Sequence, residues 1–262
     1  MPHIEIVGIT KVYEQPAAPP IVALDGVDLT VEHDQFVSLV GPSGCGKSTL
    51  LHLVGGFISP STGEIRIDGR PVTGPGPDRG IVFQNFALFP WLTVRGNVEY
   101  GLAEKGIPRR ERRKVAQHFI DMVKLTGFEE VYPHRLSGGM QQRVALARML
   151  ACDPQILLMD EPFGALDAQT RLILQEELKE IWRQARKTVL FVTHDVREAV
   201  FLSQRVVVMT ARPGRIKEIV DTDLPADAPR LAVDALAEDI WATLREEVLK
   251  AVVPGDRREQ AP

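Results

Sequence analysis

The run GPSGCGKST, residues 41–49, carries the pattern Gly-x4-Gly-Lys-Ser/Thr, which predicts a loop that wraps phosphate. Apolar FVSLV (36–40) precedes it and LLHLVGG (50–56) follows, so the loop is expected between a strand and a helix. The candidate nucleotide contacts are Gly41, Pro42, Ser43, Gly44, Cys45, Gly46, Lys47, Ser48 and Thr49. Glycines let backbone N–H groups curl round phosphate oxygens, and the helix N-terminus adds a favourable dipole. Lys47 would reach the β and γ phosphates, and the Ser48 hydroxyl would bind Mg2+. Cys45 stands at a helix N-terminus, a setting that can lower a thiol pKa.

A second group lies in ILLMDEP (156–162). Four apolar residues predict a buried strand, with Asp160 at its end to hold Mg2+ and Glu161 beside it to polarise a water. Two adjacent carboxylates in such a place repel unless a cation or proton compensates them. Gln84 ends GIVFQ (80–84), and His194 ends VLFVTH (189–194). Either alone is more often a satisfied polar residue at a strand end. Together with the loop and the carboxylates they make one constellation, because ligands of α/β sheets gather at the carboxyl ends of strands.

A third group is RLSGGMQQR (135–143). Ser137 can cap the following helix, and Gly138 and Gly139 leave its N–H groups open to an anion. No lysine or metal carboxylate accompanies it. The expectation is half a site, completed by another subunit.

These groups need elements to hold them. Strand-like runs at 3–13, 23–31 and 63–69, separated by turn residues, predict an antiparallel sheet, with EQPAAPP (14–20) as a loop. Short apolar runs at 36–41, 80–84, 155–162, 187–195 and 205–209 suit a parallel sheet covered on both faces. Between about 88 and 150 the runs 109–127 and 138–150 look helical, which predicts an inserted helical subdomain. A last amphipathic helix is expected over 234–252, with a frayed tail at 256–262. The expected division is 1–87, an antiparallel β subdomain with the first part of the core; 88–152, helical; 153–225, the second part of the core; and 226–262, helix and tail.

A net charge of −4 argues against a dedicated nucleic-acid surface, so the basic run PRRERRK (108–114) reads as a solvated helix face. The two cysteines, Cys45 and Cys152, lack metal-ligand spacing and suit a reducing cytosol. The start of the chain shows no signal-peptide pattern, and no apolar run is long enough to cross a bilayer. Any membrane role is therefore expected to be peripheral. In NFALFPWLTV (85–94), Phe86, Phe89 and Trp91 suit either a helical-subdomain core or an exposed contact surface.

At this point the residues resemble the ATP-binding subunit of ABC transporters. GPSGCGKST is similar to Walker A, ILLMDEP to Walker B and LSGGMQQR to the family signature. ALD (165–167) is similar to the D-loop, Gln84 to the Q-loop residue and His194 to the switch histidine. The resemblance implies an α/β P-loop ATPase core with an antiparallel β subdomain and an inserted helical subdomain. It implies ATP and Mg2+ as ligands, with the metal held by Ser48, Gln84 and Asp160.

Residue roles follow from the resemblance. Tyr13 would stack on adenine, Glu161 act as general base, and His194 contact the γ-phosphate. Gln84 would sense the metal and γ-phosphate. Ser137, Gly138, Gly139 and Gln141 would meet ATP held by Lys47 of a second copy, and Asp167 would link the two sites. Part of 85–94 would line a groove for a permease helix. The implied partners are a second copy, transmembrane permease subunits and, through them, an extracytoplasmic solute-binding protein, with no nucleic acid. The implied place is the cytoplasmic face of the membrane.

GPDRG (76–80), PWLTV (90–94) and RPGRI (212–216) are similar to the nitrate/sulfonate/taurine importer group. The expected solute is a small anion, sulfonate or taurine first, with nitrate or a thiamine precursor as alternatives. A soluble ABC ATPase acting on nucleic acid is the competing class, but it is expected to carry a coiled-coil insertion or tandem cassettes. A binding module without hydrolysis conflicts with the presence of Glu161 and His194.

Overall fold

The computed structural model describes residues 2–16, 18–164, 166–222, 224 and 230–252. The tail read as frayed (256–262), and Ala165 of the ALD run, lie outside the described residues. In chain order the elements are β1 (Ile4–Gln15), β2 (Ala18–Val31), β3 (Phe36–Val40), α1 (Lys47–Val54), β4 (Thr62–Ile67), β5 (Arg70–Pro71), β6 (Arg79–Val82), α2 (Val94–Glu104) and α3 (Arg109–Met122). Then come α4 (Gly138–Ala151), β7 (Ile156–Asp160), α5 (Ala168–Ala185), β8 (Thr188–Val192), α6 (Val196–Leu202), β9 (Arg205–Met209), β10 (Ile216–Asp221) and α7 (Arg230–Val252). A 3-10 turn, Pro133–Arg135, precedes α4. The chain divides into two compact units, residues 1–74 with 192–262, and residues 75–191.

The first unit contains an antiparallel sheet of order β2-β1-β4-β5, in which Ile4 faces Val31 on one side and Ile67 on the other. Ile4, Ile6, Leu29, Val31, Ile65 and Ile67 are buried. Ile9 is an odd step from Ile6 yet also buried, because a register shift between them returns its side chain to the core face. The expected loop at 14–20 is largely strand among the described residues. β1 runs to Gln15, which pairs with Ala18. Pro19 and Pro20 are tolerated within β2 because they fall at the register shift between the Tyr13–Ile21 and Gln15–Ala18 pairs of an edge strand, where neither is a ladder partner.

The same unit holds the strand order β10-β9-β3, with β3 parallel to β9 and β10 antiparallel to it. Every residue of β3 is buried, as a strand covered on both faces requires. Val40, Val200, Val206, Val208, Ile240 and Leu244 form one cluster, which seats α6 and α7 against these strands. α7 begins at Arg230, ahead of the expected 234. Its first turn carries the exposed Leu231, while Val233 is only partly buried against the same cluster.

The second unit holds the strand order β8-β7-β6, with β6 parallel to β7. Residues 88–152 contain α2, α3, the 3-10 turn and α4, and no strand among the described residues. α3 ends at Met122 rather than 127, and Lys124 (φ 57°) turns the chain away from the helix. Val98, Leu102, Ala116, Ile120, Val144 and Ala147 are buried where α2, α3 and α4 pack together.

Candidate nucleotide site

The phosphate-loop candidate lies between β3 and α1, wholly in the first unit. Gly46 is the N-cap of α1 with φ 109°, and no side chain caps this helix. A Cβ on Gly46 would stand 2.6 Å from Leu24 Cδ2 and 2.9 Å from the Ala23 carbonyl, so this position takes only glycine. Lys47 is buried, and its Nζ donates to the carbonyls of Gly41 (2.8 Å) and Pro42 (3.0 Å). The ammonium is thus held against the start of the loop.

Cys45 differs from the sequence expectation. It is buried, and burial pushes its thiol pKa up despite the nearby Lys47 ammonium. The helix N-terminus does not offset desolvation here.

Loop 210–216 is fixed to β2 and lies against the Cys45 carbonyl of the phosphate-loop candidate. The Gly214 N–H donates to the Ala23 carbonyl (2.9 Å), and the Asp25 N–H donates to the Gly214 carbonyl (3.1 Å). The Arg215 guanidinium also pairs with Asp25. From α7, Glu247 accepts the Ala211 N–H at 2.9 Å, together with Lys217 and Lys250. Neither Gly214 nor Glu247 stood out in the sequence as part of a nucleotide site. The only signal was RPGRI, read there as a mark of the importer group.

His194 lies two residues past β8, not at its end, and just before Asp195, the N-cap of α6. Its neighbour Thr193 donates its N–H to the Leu39 carbonyl at 3.2 Å. That bond holds the His194 turn at the end of β3 that leads into the phosphate loop. Tyr13 is exposed on β1, opposite Ile21, and the Lys11 ammonium stands 5.2 Å from its ring centre.

In the second unit, Asp160 closes β7 and Glu161 follows with φ 44°. Gln84 also lies two residues beyond its strand, because β6 stops at Val82. A Cβ built on Gly164 would lie 3.7 Å from Glu161 Oε2 and 3.8 Å from Gln84 Nε2. The carboxylate and the carboxamide therefore flank one glycine, and the unit brings these two together.

The Ser137 hydroxyl accepts the Met140 N–H at 3.3 Å and caps α4. A Cβ on Gly139 would stand 2.7 Å from Thr170 Cγ2, so this glycine also lets α4 approach α5 closely. Gly138 begins α4, and a Cβ there would be in ordinary contact with Leu166 (3.6 Å). Gln141 donates its Nε2 to the carbonyls of Pro133 (3.1 Å) and Leu136 (3.2 Å), bracing the turn before the helix. Asp167 caps α5 by accepting the Thr170 N–H at 3.0 Å, and that bond lowers its carboxyl pKa.

The aromatic segment after Gln84 splits in two. Phe86 is buried, whereas Trp91 is 69% exposed. Asn97, fully buried, accepts the Phe89 N–H and donates to the carbonyls of Phe89, Leu92 and Thr93. Arg148 donates to the carbonyls of Phe86 and Ala87, and its guanidinium lies 5.4 Å from the Phe89 ring centre. The segment is a braced shelf that presents Trp91 outward. Asn97 and Arg148 gave no sequence signal.

A family model described as ABC transporter matches residues 24–164. An uncharacterised ABC transporter ATP-binding protein of Methanocaldococcus jannaschii is 54% identical, covering 95% of this chain and 94% of that protein. The nitrate import ATP-binding protein of Synechocystis is 51% identical, over 86% of this chain and 84% of its own length. The taurine import ATP-binding protein of Roseobacter denitrificans is 43% identical, over 96% and 94%. A solved dimeric ATP-binding cassette in a post-hydrolysis state, bound to ADP and Pi, superposes with TM-score 0.72 at 36% identity, covering 84% of this chain and 98% of that one.

Proposed function

The chain belongs to the ABC transporter family, and from that premise we propose that it is the ATP-hydrolysing subunit of an importer of small anions. The observation that carries the reading is the preformed phosphate loop, with Lys47 Nζ held against its start and an uncapped helix N-terminus behind it.

Phosphoryl transfer to water is mostly positioning and charge stabilisation. The loop N–H groups and Lys47 hold the β and γ phosphates. Tyr13 stacks on adenine, and His194 meets the γ-phosphate. Glu161 accepts the proton of the attacking water as its oxygen bonds to the γ-phosphorus and the ADP leaves. Ser48, Gln84 and Asp160 offer a hydroxyl, a carboxamide and a carboxylate, all hard oxygen donors that suit Mg2+. Bound there, Mg2+ would supply charge neutralisation to the phosphates.

A second copy completes the site in this reading, with Ser137, Gly138, Gly139 and Gln141 contacting the γ-phosphate side and Asp167 joining the two sites. The dimeric solved cassette at 36% identity supports pairing. Permease subunits receive Trp91 and its shelf, a solute-binding protein acts through them, and the subunit works at the cytoplasmic face of the membrane. The division into β subdomain, two-part core and helical insert is the frame for these roles. The solute reading stays at the small-anion class. Nitrate import and taurine import proteins are both relatives, and their identities do not separate the two.

The test is Glu161→Gln. ATP affinity stays close to wild type and turnover stops; wild-type turnover in this variant refutes the assigned chemistry.

A further inference from the structure

Three side chains outside the nucleotide machinery converge at one end of the antiparallel sheet in the first unit. His3 precedes β1, His33 lies in the turn between β2 and β3, and Asp68 lies in the turn between β4 and β5. His33 Nε2 is 2.9 Å from Asp68 Oδ1, and His3 Nε2 is 3.8 Å from Oδ2. The imidazoles stack with ring centres 4.0 Å apart and planes within 9°. One donor atom from each of the three residues lies within 4.8 Å of the others.

We propose that His3, His33 and Asp68 form a binding site for a divalent cation of the Zn2+ type. Two imidazoles and one carboxylate are the N/N/O donors that such a borderline cation takes, whereas Mg2+ and Ca2+ prefer oxygen alone. Bonds of about 2.0 Å in a tetrahedral site put neighbouring donor atoms roughly 3.3 Å apart. The two N–O separations here, 2.9 Å to Oδ1 and 3.8 Å to Oδ2, lie on either side of that spacing, and a cation would draw both rings to one carboxylate oxygen or across the pair.

One half of the site is already rigid. His3 is buried, its N–H donates to the Val31 carbonyl (2.8 Å), and its carbonyl accepts the Asp68 N–H (3.0 Å). His3 and Asp68 are thereby held side by side by the backbone. Parallel rings do not aim their lone pairs at one point, so binding requires one ring to turn. His33, half exposed on a turn, is the ring with room to do so. Three protein donors leave a further position for water. The cation would fasten the chain start and two turns together, at a place that neither the phosphate loop nor Glu161 occupies in the sequence.

The test uses the full chain without an added histidine tag and without nucleotide. Zn2+ binding is followed by titration calorimetry and thermal unfolding, and Co2+ by its visible absorption. Wild type is expected to bind one Zn2+ at this site and to unfold at a higher temperature as free Zn2+ rises. His33→Ala removes an exposed ring, and Asp68→Asn keeps a residue type that tolerates the φ of 47° at that turn. Both should fold, weaken Zn2+ about tenfold or more, and reduce the Co2+ bands and the thermal shift at a given free metal concentration. Unchanged Zn2+ affinity in both variants, or no binding by wild type, overturns the proposal.

Discussion

Gly214 lies so close to Cys45 that a Cβ placed on it would stand 2.0 Å from the Cys45 carbonyl oxygen. No side chain fits there without moving either loop 210–216 or the phosphate loop. Gly214→Ala is therefore expected to weaken ATP binding about tenfold, a strain of roughly 1–2 kcal/mol delivered to the loop. Nucleotide binding by fluorescence titration checks this, with the unfolding midpoint measured alongside. Wild-type affinity would mean that the contact does not position the loop.

Glu247 joins α7 to the same brace. Burial alone would raise its pKa, but hydrogen bonds from Lys250, the Ala211 N–H and Lys217 outweigh burial and bring it down to about 2. A carboxyl with a depressed folded pKa gives stability that is fully present above its unfolded value of 4.5 and fades as pH falls towards 2. Glu247→Gln should be less stable than wild type at neutral pH, and the gap should close through that window. Urea midpoints measured against pH test it. A gap that stays constant with pH would contradict the ionic role.

Trp91 separates docking from folding. Its ring is largely exposed, while Phe89 packs 4.4 Å (centre to centre) from Tyr100. Trp91→Ala should change stability by no more than about 0.5 kcal/mol and leave ATPase of the isolated subunit intact. It should lower solute uptake in reconstituted transporter severalfold. Phe89→Ala should lower uptake too, with some loss of stability. Parallel loss of ATPase and uptake in Trp91→Ala would point to damage inside the subunit.

The sequence showed what is local. The phosphate loop was legible because its glycines, lysine and flanking apolar runs lie within 21 consecutive residues, 36–56. The buried strands were legible as unbroken apolar runs. Strand ends were less so: Gln84 and His194 each lie two residues past the strand they were expected to finish, because Phe83 and Thr193, both good strand formers, carry the strand-like pattern past the last ladder bond. The strand ends within 14–20 were hidden by prolines, which signal a loop unless the strand is known to be an edge. Gly214 on Cys45, Arg148 on Phe86, and His3 with His33 and Asp68 depend on register between distant segments. Composition and spacing carry no trace of such register.

The reading of Ser137 changed least and has the largest consequence. It caps α4 through Met140, and no lysine or metal carboxylate accompanies RLSGGMQQR in the sequence. The central claim is that each ATP is hydrolysed between two copies, Lys47 from one and Ser137 from the other. Mixing two inactive variants, Lys47→Ala and Ser137→Arg, tests this most directly. In a mixed dimer one site carries both defects and the other carries none. The account predicts that each variant alone is inactive, that Ser137→Arg still binds ATP as a monomer, and that the mixture regains turnover. Wild-type turnover by Ser137→Arg alone, or a mixture no more active than its parts, would contradict it.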